Sequence, residues 1–440
     1  MSINRRRLWR STAVATVLAA AAAAAVAPAG AARTVDPGVT NKTVTVGYIY
    51  PATGVAASIS KNGLEAFQAR VDRQNAQGGV NGRKITVVSR DDQSSGQDIT
   101  VTHDLVENQH VFAVVNQSPF AFLSYRYLLS AGVPMIGNGL DGTYYQDKGN
   151  EAILSSSGNG NPFGDLTYDG PARIMQMAGA KNIGVLAYGA ASSSVASAKA
   201  LMNFAVPELN LKPAYTNTSI DFGAQDVGAP VLGLKNAGAD GVYLPMAAAT
   251  NVAVAQGLQQ NGVNMKAVLM GTGYGQDFLD SPAAKALPTS TFFLNGNKPV
   301  ELKDKATKKF QADLKKYAKF TSEPDFGVYG GYILADLLIK GLQNAGKTPT
   351  RQGFVDGVHH VGMYNQAGLG CQPVDVSLAG RGHAPKTTCN YFLQVKNDKF
   401  VPFPKSGKPI TGNLVGSPVG VQLATGGATE APTTSAPPSP

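Results

Sequence analysis

Residues that build metal sites are scarce in this chain of 440 residues, which contains two cysteines and five histidines. So few ligands, widely scattered, do not make a structural zinc site. We therefore predict neither a metal nor a cofactor. The cysteines, Cys371 and Cys389, form a single pair, and an oxidising compartment favours their joining as a disulfide over two free thiols.

Clustered charge of one sign is also lacking in the body of the chain. The formal net charge is +9, but four arginines lie within the first ten residues, so the remainder carries only about +5. The one basic stretch, Lys303–Lys319, includes acidic residues and is typical of a solvated helix face. No basic stripe is interleaved with stacking aromatic residues, which argues against nucleic-acid binding.

Long apolar runs are confined to the N-terminus. An arginine cluster precedes the run Ala13–Ala27, and small residues follow at 28–32. The run of about 15 residues is shorter than the roughly 20 needed to span a bilayer. This order is typical of a secretory signal peptide, so we expect residues 1–31 to be removed; a retained anchor is the alternative. We expect an exported protein, in a periplasm-like space, the cell envelope or the medium.

The C-terminus has a composition of its own. From Gly412 onward Glu430 is the only charged residue, and the last sixteen residues are mostly Gly, Thr, Ala, Pro and Ser. Such a segment buries too little apolar surface to offset its ordering entropy. We expect 412–440 to be a disordered tail.

The body between these ends alternates apolar runs with amphipathic segments. The runs predict strands at Thr43–Tyr50, Lys84–Ser89, Phe112–Val115, Val133–Ile136, Asn182–Ala187, Gly241–Leu244 and Ala267–Met270. Helices are predicted at Ile59–Gln77, Asp98–Asn108, Phe120–Ser130, Tyr168–Met177, Ala190–Leu209 and Thr250–Gln260. Alternation of this kind predicts an α/β fold with parallel sheets flanked by helices. The length and a Gly/Ser/Asn-rich restart at Ser155–Gly164 indicate two Rossmann-like lobes.

Catalytic motifs are incomplete or missing. Ser58–Lys61 matches a Ser-x-x-Lys pattern, but the partner Lys-Thr-Gly is not in the sequence. Residues 137–142 match the dinucleotide pattern, but no helical periodicity follows them. There is no Gly-x-Ser-x-Gly elbow, and His359–His360 lies in a helix end or loop. We therefore expect no enzymatic activity.

Several short motifs, taken in order, resemble those of a known family. They are Val46–Gly54 with its Pro-x-Thr-Gly turn, Asn75–Arg83, Asp91–Gln93, Gly132–Ile136 and the closing hairpin Val395–Lys399. Together they resemble the type I periplasmic-binding proteins, in the branched-chain amino-acid (Leu/Ile/Val) binding branch that serves ABC importers. The resemblance implies two lobes joined by a three-strand hinge: 42–155 plus 296–357, and 156–295 plus 358–408.

The resemblance also implies a ligand site in the cleft between the lobes. On lobe one it points to Asn116, Gln117 and Ser118, the loop that in the family holds a ligand carboxylate. Ser118 could equally cap a helix that opens at Pro119. The next loop of lobe one contributes Asn138 and Gly139.

Lobe two contributes four candidate ligand residues, each just past a predicted strand: Tyr188, Met246, Thr272 and Tyr274. The amino-acid binders place a Glu near Thr272 to pair with the ligand ammonium, whereas residues 270–275 contain no acid. An amino acid, another small carboxylate, an amide or an aromatic compound therefore all remain candidate ligands.

Three functions remain open. The first is a solute-binding subunit, expected to be monomeric, that delivers its ligand to an ABC permease. The second is a ligand-sensing module for a membrane receptor, and the third is a cell-envelope enzyme built on the same fold.

Overall fold

The computed structural model describes residues 35–139, 142–157, 166–382 and 387–416. The predicted signal peptide lies outside these residues, as does the tail beyond 416. In the described part, no helix combines the length and apolar character needed to cross a membrane.

The described chain alternates strands and helices. The strands are β1 (Thr43–Tyr50), β2 (Lys84–Asp91), β3 (Ala113–Asn116), β4 (Met135–Gly137), β5 (Ile153–Ser155), β6 (Leu166–Tyr168), β7 (Asn182–Tyr188), β8 (Lys212–Ile220), β9 (Gly241–Leu244), β10 (Ala267–Met270), β11 (Thr291–Asn295), β12 (Met363–Tyr364), β13 (Val374–Asp375), β14 (Cys389–Lys396), β15 (Lys399–Phe403), β16 (Ile410–Thr411) and β17 (Leu414–Gly416). The helices are α1 (Ala57–Ser60), α2 (Gly63–Ala76), α3 (Asp98–His103), α4 (Tyr125–Ser130), α5 (Gly170–Met177), α6 (Ser192–Ala200), α7 (Val206–Glu208), α8 (Gly228–Asn236), α9 (Ala248–Gln260), α10 (Gln276–Asp280), α11 (Pro282–Ala286), α12 (Lys305–Asp313), α13 (Phe326–Asn344) and α14 (Arg351–His359).

Two main sheets organise these elements. The first has the order β2-β1-β3-β4-β5, and all its strands are parallel. The second runs β15-β14-β11-β10-β9-β7-β8, in which β14 is antiparallel to both of its neighbours and the other strands share one direction. The central strands are short, fully buried apolar runs, as expected for parallel strands covered by helices on both faces. The predicted fold class is confirmed.

Helices from late in the chain pack onto the first sheet. After β11 the chain leaves the second sheet, forms α12 to α14, and returns in β14. A buried ion pair joins α13 to α2: Arg70 Nε donates to Asp336 Oδ1 at 2.9 Å, with side chains 6% and 8% exposed. Tyr364 donates to the other carboxylate oxygen at 3.2 Å. The first sheet is thereby completed by residues more than 200 positions away.

Two predicted helices are interrupted. The segment predicted as Ile59–Gln77 is two helices, because Asn62 has the left-handed φ of 57° that ends α1 and opens α2. The segment predicted as Phe120–Ser130 is a 3₁₀ turn at Ala121–Leu123 followed by α4. The predicted helix opening at Pro119 is therefore wrong.

Other corrections concern the second sheet and the chain ends. Tyr168 lies in β6 rather than in a helix, and the sequence analysis did not predict β8 or α8. Residues 414–416, inside the segment predicted as a disordered tail, form β17 and pair with β6. The disulfide Cys371–Cys389 is present.

Candidate functional site

The candidate site residues follow the carboxyl ends of parallel strands. Asn116 ends β3, Asn138 follows β4, Tyr188 ends β7, Met246 follows β9 and Thr272 follows β10. In open α/β sheets, ligands bind outside this edge. The fold therefore brings each loop to the edge of its own sheet where binding is expected.

The first two candidate residues at the end of β3 are held inside the protein. Asn116 donates from Nδ2 to Asp98 Oδ2 at 3.2 Å and accepts the Ser118 N–H at 2.9 Å. Gln117 accepts the Tyr48 hydroxyl and donates from Nε2 to the Gly327 carbonyl at 2.8 Å. Both ends of the Gln117 amide are thus used to join β1, β3 and α13.

Ser118, the central candidate, is only 4% exposed. Its hydroxyl donates to Asp92 Oδ2, and its oxygen accepts the Phe120 N–H at 3.1 Å. Ser118 therefore caps the backbone that follows it, as predicted, but the capped structure is a single turn and not a helix.

The neighbouring backbone N–H groups are also occupied. Gln117 N donates to Ile49 O at 2.9 Å, and Ala121 N to Ser118 O at 3.4 Å. Pro119 has no N–H. Since the N–H groups of Ser118 and Phe120 are bonded as well, every N–H of residues 117–121 already has an acceptor.

Two carboxyl groups lie beneath this loop. Asp92 and Asp98 are both fully buried. Burial raises the pKa of Asp98 to about 6, with a further contribution from the charge of Asp92. Burial also raises the pKa of Asp92, while its hydrogen bonds from Ser118 and Ser94 oppose that effect. The loop therefore lies over acidic groups, and no basic side chain of the described residues is hydrogen-bonded to it.

The loop that follows β4 is shaped by the close approach of neighbouring side chains to its backbone and to α13. Gly139 has a left-handed φ of 73°, and a Cβ there would collide with the Ser155 side chain. Gly330 of α13 faces both Asn138 and Gln117, so a side chain at that position would meet both amides. The tight packing of α13 against these loops thus depends on glycine.

At the edge of the second sheet, Tyr188 and Met246 are both 2% exposed. The Tyr188 hydroxyl donates to Thr250 Oγ1 at 2.7 Å and accepts the Ala247 N–H at 3.2 Å. Thr272 donates from its hydroxyl to the Met246 carbonyl at 2.8 Å. These bonds fix the three loops that follow β7, β9 and β10 to one another.

Tyr274 is used differently from the other candidates. Its hydroxyl donates to Glu301 Oε2 at 2.9 Å and accepts the Val300 N–H at 3.2 Å. Its ring packs on Phe400 and Tyr329, with centroids 4.8 and 6.3 Å apart. Tyr274 therefore contacts the segment that leaves β11, where the chain passes between the sheets.

The structure brings together two aromatic residues that the sequence analysis missed. Phe120, two positions after Ser118, packs on Phe222 with ring centroids 5.7 Å apart. Phe222 in turn stacks on Tyr188 at 4.4 Å. These three rings, the aromatic wall, run from the Ser118 loop of the first sheet to the loops of the second. Phe222 follows β8, and because that strand was not predicted, no signal pointed to it.

An ion pair makes a further contact between the two halves of the protein, which are the residues around the first sheet and those around the second. Lys61, between α1 and α2, lies 2.6 Å from Asp277 of α10, with side chains 52% and 67% exposed. Asp325, the N-cap of α13, lies nearby, and burial raises its pKa to about 7. In this structure the two halves are therefore in contact at both the aromatic wall and this pair.

Comparison with known proteins places this geometry in a wider group. A family model described as periplasmic binding protein matches residues 43–399. No curated protein sequence matches the chain.

Solved structures share the fold at low sequence identity. A fatty acid ABC transporter substrate-binding protein from Thermomonospora curvata is 22% identical, covers 89% of this chain and 98% of its own, and has a TM-score of 0.69. An ABC transporter solute binding protein from Rhodopseudomonas palustris HaA2, in complex with p-hydroxybenzoic acid, is 18% identical over 84% and 98% of the chains, with a TM-score of 0.66. The branched-chain amino acid transporter substrate binding protein LivJ from Streptococcus pneumoniae, in complex with isoleucine, is 18% identical over 82% and 98%, with a TM-score of 0.64.

Proposed function

The chain belongs to the periplasmic binding protein family, and on that premise we propose that it captures a small organic solute between its two sheets and delivers it to an ABC importer. The aromatic wall is the observation that carries this proposal. Phe120, Phe222 and Tyr188 connect the loops at the carboxyl edges of both sheets. Apolar walls with a few placed polar groups are typical of small-molecule sites.

Closure of two lobes is the mechanism we propose. Lobe one comprises 42–155 plus 296–357, and lobe two 156–295 plus 358–408. The solute docks against the Ser118 loop, and lobe two then closes until Phe222 meets Phe120, as in other hinged binding proteins. Because the Lys61–Asp277 contact forms only when the lobes approach, it helps to hold the closed form.

The remaining parts of the proposal follow from this mechanism. A protein that hands on its solute unchanged needs no catalytic group, so we propose binding without turnover. Export of a monomer, with removal of residues 1–31, places the solute outside the membrane. The closed form is then what the importer's permease recognises.

The experiment is a dye-based thermal shift of residues 32–440 against amino acids, small carboxylates, amides, alcohols, amines, aromatics and fatty acids. A ligand at 100 times its Kd stabilises by about 2.7 kcal/mol, which corresponds to a rise of a few degrees in Tm. Intrinsic tryptophan fluorescence is no substitute, because Trp9, the only tryptophan, lies in the removed segment.

A matched pair of variants locates the site. Phe222→Ala removes the central ring of the aromatic wall and should abolish the ligand-induced shift. Phe403→Ala removes a half-buried ring of β15, at the opposite edge of the second sheet, where it packs on Phe292 at 5.2 Å. That variant should lower Tm but keep the shift. Chemical conversion of a bound compound, or a shift that survives Phe222→Ala and is lost in Phe403→Ala, contradicts the proposal.

A further inference from the structure

We infer that the Ser118 loop accepts hydrogen bonds rather than donating them, and that the ligand of the cleft is a ring-bearing molecule with an N–H or O–H donor and no carboxylate at this loop. This inference rests on the proposed function, since it names the chemical class of the solute. It reverses the polarity that the sequence resemblance implies for this loop.

The hydroxyl groups of the candidate residues donate their protons inside the protein. All four hydroxyl-bearing candidates donate to acceptors inside the protein: Ser118 to Asp92, Tyr188 to Thr250, Thr272 to Met246 O and Tyr274 to Glu301. A hydroxyl has one proton and two acceptor positions. Once the proton is used, only acceptor positions are left for a ligand.

The backbone N–H groups of the Ser118 loop are likewise occupied. A carboxylate bound by a loop needs free N–H groups, but each N–H of residues 117–121 already has an acceptor within the protein. The turn that follows at Ala121–Leu123 is a single 3₁₀ turn, too short to present a helix N-terminus. An anion at this loop would therefore lose hydration without gaining donors, which is unfavourable.

The charges around the Ser118 loop also disfavour an anionic ligand. Asp92 and Asp98 are buried directly beneath the loop, and a like charge at close range opposes a second carboxylate. The basic residue at the contact between the halves, Lys61, has its ammonium on Asp277. On the opposite side, residues 270–275 contain no acid to pair with the ammonium of an amino acid.

What remains at the Ser118 loop to recognise a ligand is apolar surface and acceptors. One acceptor position of Ser118 Oγ is taken by Phe120 N–H, and no other group of the described residues donates to the second, which a donor on the ligand can use. The aromatic wall begins at the same loop, so a ring can pack on Phe120 while its substituent reaches Ser118. These two features together define the ligand class.

The test is isothermal titration calorimetry at pH 7.5 with four phenyl compounds that differ in one group: benzyl alcohol, benzylamine, benzamide and benzoate. We expect at least one of the three donor-bearing compounds to bind tenfold or more tightly than benzoate. Asp92→Asn removes the charge and lets the amide donate to Ser118 Oγ, which frees the hydroxyl proton. In that variant the preference over benzoate should fall at least tenfold.

Asp91→Asn is the matched control. It removes the same charge one residue away, where the carboxylate accepts from Ala52, Thr53 and Gln93 rather than from Ser118. Its preference between the compounds should stay that of the parent protein. Because each comparison is a ratio within one variant, a general loss of folded protein cancels.

The outcomes separate this inference from the proposed function. Benzoate as the tightest binder, or a preference unchanged by Asp92→Asn, overturns the inference and leaves solute binding intact. Binding of other panel compounds but of no phenyl compound also overturns it, because the ring is then not what the wall recognises. Failure of every compound in the thermal-shift panel removes the proposed function, and this inference with it.

Discussion

Glu301 offers a sharp test of the structure at the segment that leaves the second sheet. It follows β11, where the chain leaves the second sheet, and its Oε2 accepts the Tyr274 hydroxyl at 2.9 Å. Its Oε1 is buried and, among the described residues, has no hydrogen-bond partner. Burial raises the pKa of Glu301 from 4.5 to about 7, and the charge of Glu323 adds to that rise.

The raised pKa fixes the sign of the pH dependence. Between pH 4.5 and 7 the folded state keeps a proton that the unfolded chain has lost. The contribution of Glu301 is therefore most favourable below pH 4.5, declines as the pH rises, and is constant above pH 7. At about 1.4 kcal/mol per unit of pKa, the full difference is roughly 3 kcal/mol. Glu301→Gln cannot ionise, so it removes this dependence.

The assay is urea denaturation followed by circular dichroism, at intervals from pH 4.5 to 8, on the parent protein and on Glu301→Gln. The stability of the variant relative to the parent should rise by up to about 3 kcal/mol across this range. Glu107→Gln is the control, because Glu107 is exposed and a hydrogen bond from His103 lowers its pKa. A difference between Glu301→Gln and the parent that stays constant with pH refutes the reasoning.

Three further predictions concern stability and closure. Asp336→Asn leaves the buried Arg70 without its counter-charge and should lower the free energy of unfolding by about 3–5 kcal/mol in denaturation experiments. Reducing the disulfide, which closes a loop of 18 residues, should cost roughly 3 kcal/mol in the same assay. Lys61→Ala removes an exposed pair with Asp277, worth under about 1 kcal/mol, so calorimetry should show the Kd of any ligand rising less than about fivefold. That rise should vanish in about 1 M salt, where charges are screened over roughly 3 Å.

The strands that the sequence predicts best are the ones with no polar face. Thr43–Tyr50, Gly241–Leu244 and Ala267–Met270 have the same bounds in the structure as in the prediction. They are central strands covered on both sides, so nearly every residue must be apolar and each run ends where the sheet ends. Burial on two faces thus leaves a signal that needs no knowledge of the tertiary fold.

Edge strands and local breaks leave no such signal. β8 lies at the edge of the second sheet and has the mixed sequence KPAYTNTSI, which one solvated face permits. The break at Asn62 depends on one residue in a left-handed conformation, inside a stretch with continuous helical spacing. Because Phe222 follows β8, missing that strand also hid the residue at the centre of the aromatic wall.

The chemistry of the Ser118 loop depends on the order of strands in space. Asp92 follows β2 and Ser118 follows β3, 26 residues later, and the two strands lie on either side of β1. Only that order brings the two turns together above the end of β1. The family resemblance implies that Ser118 donates to a ligand carboxylate, and that role needs a hydroxyl proton that no neighbour accepts. Here Asp92 accepts it, so the same residue at the same position has the opposite polarity toward a ligand.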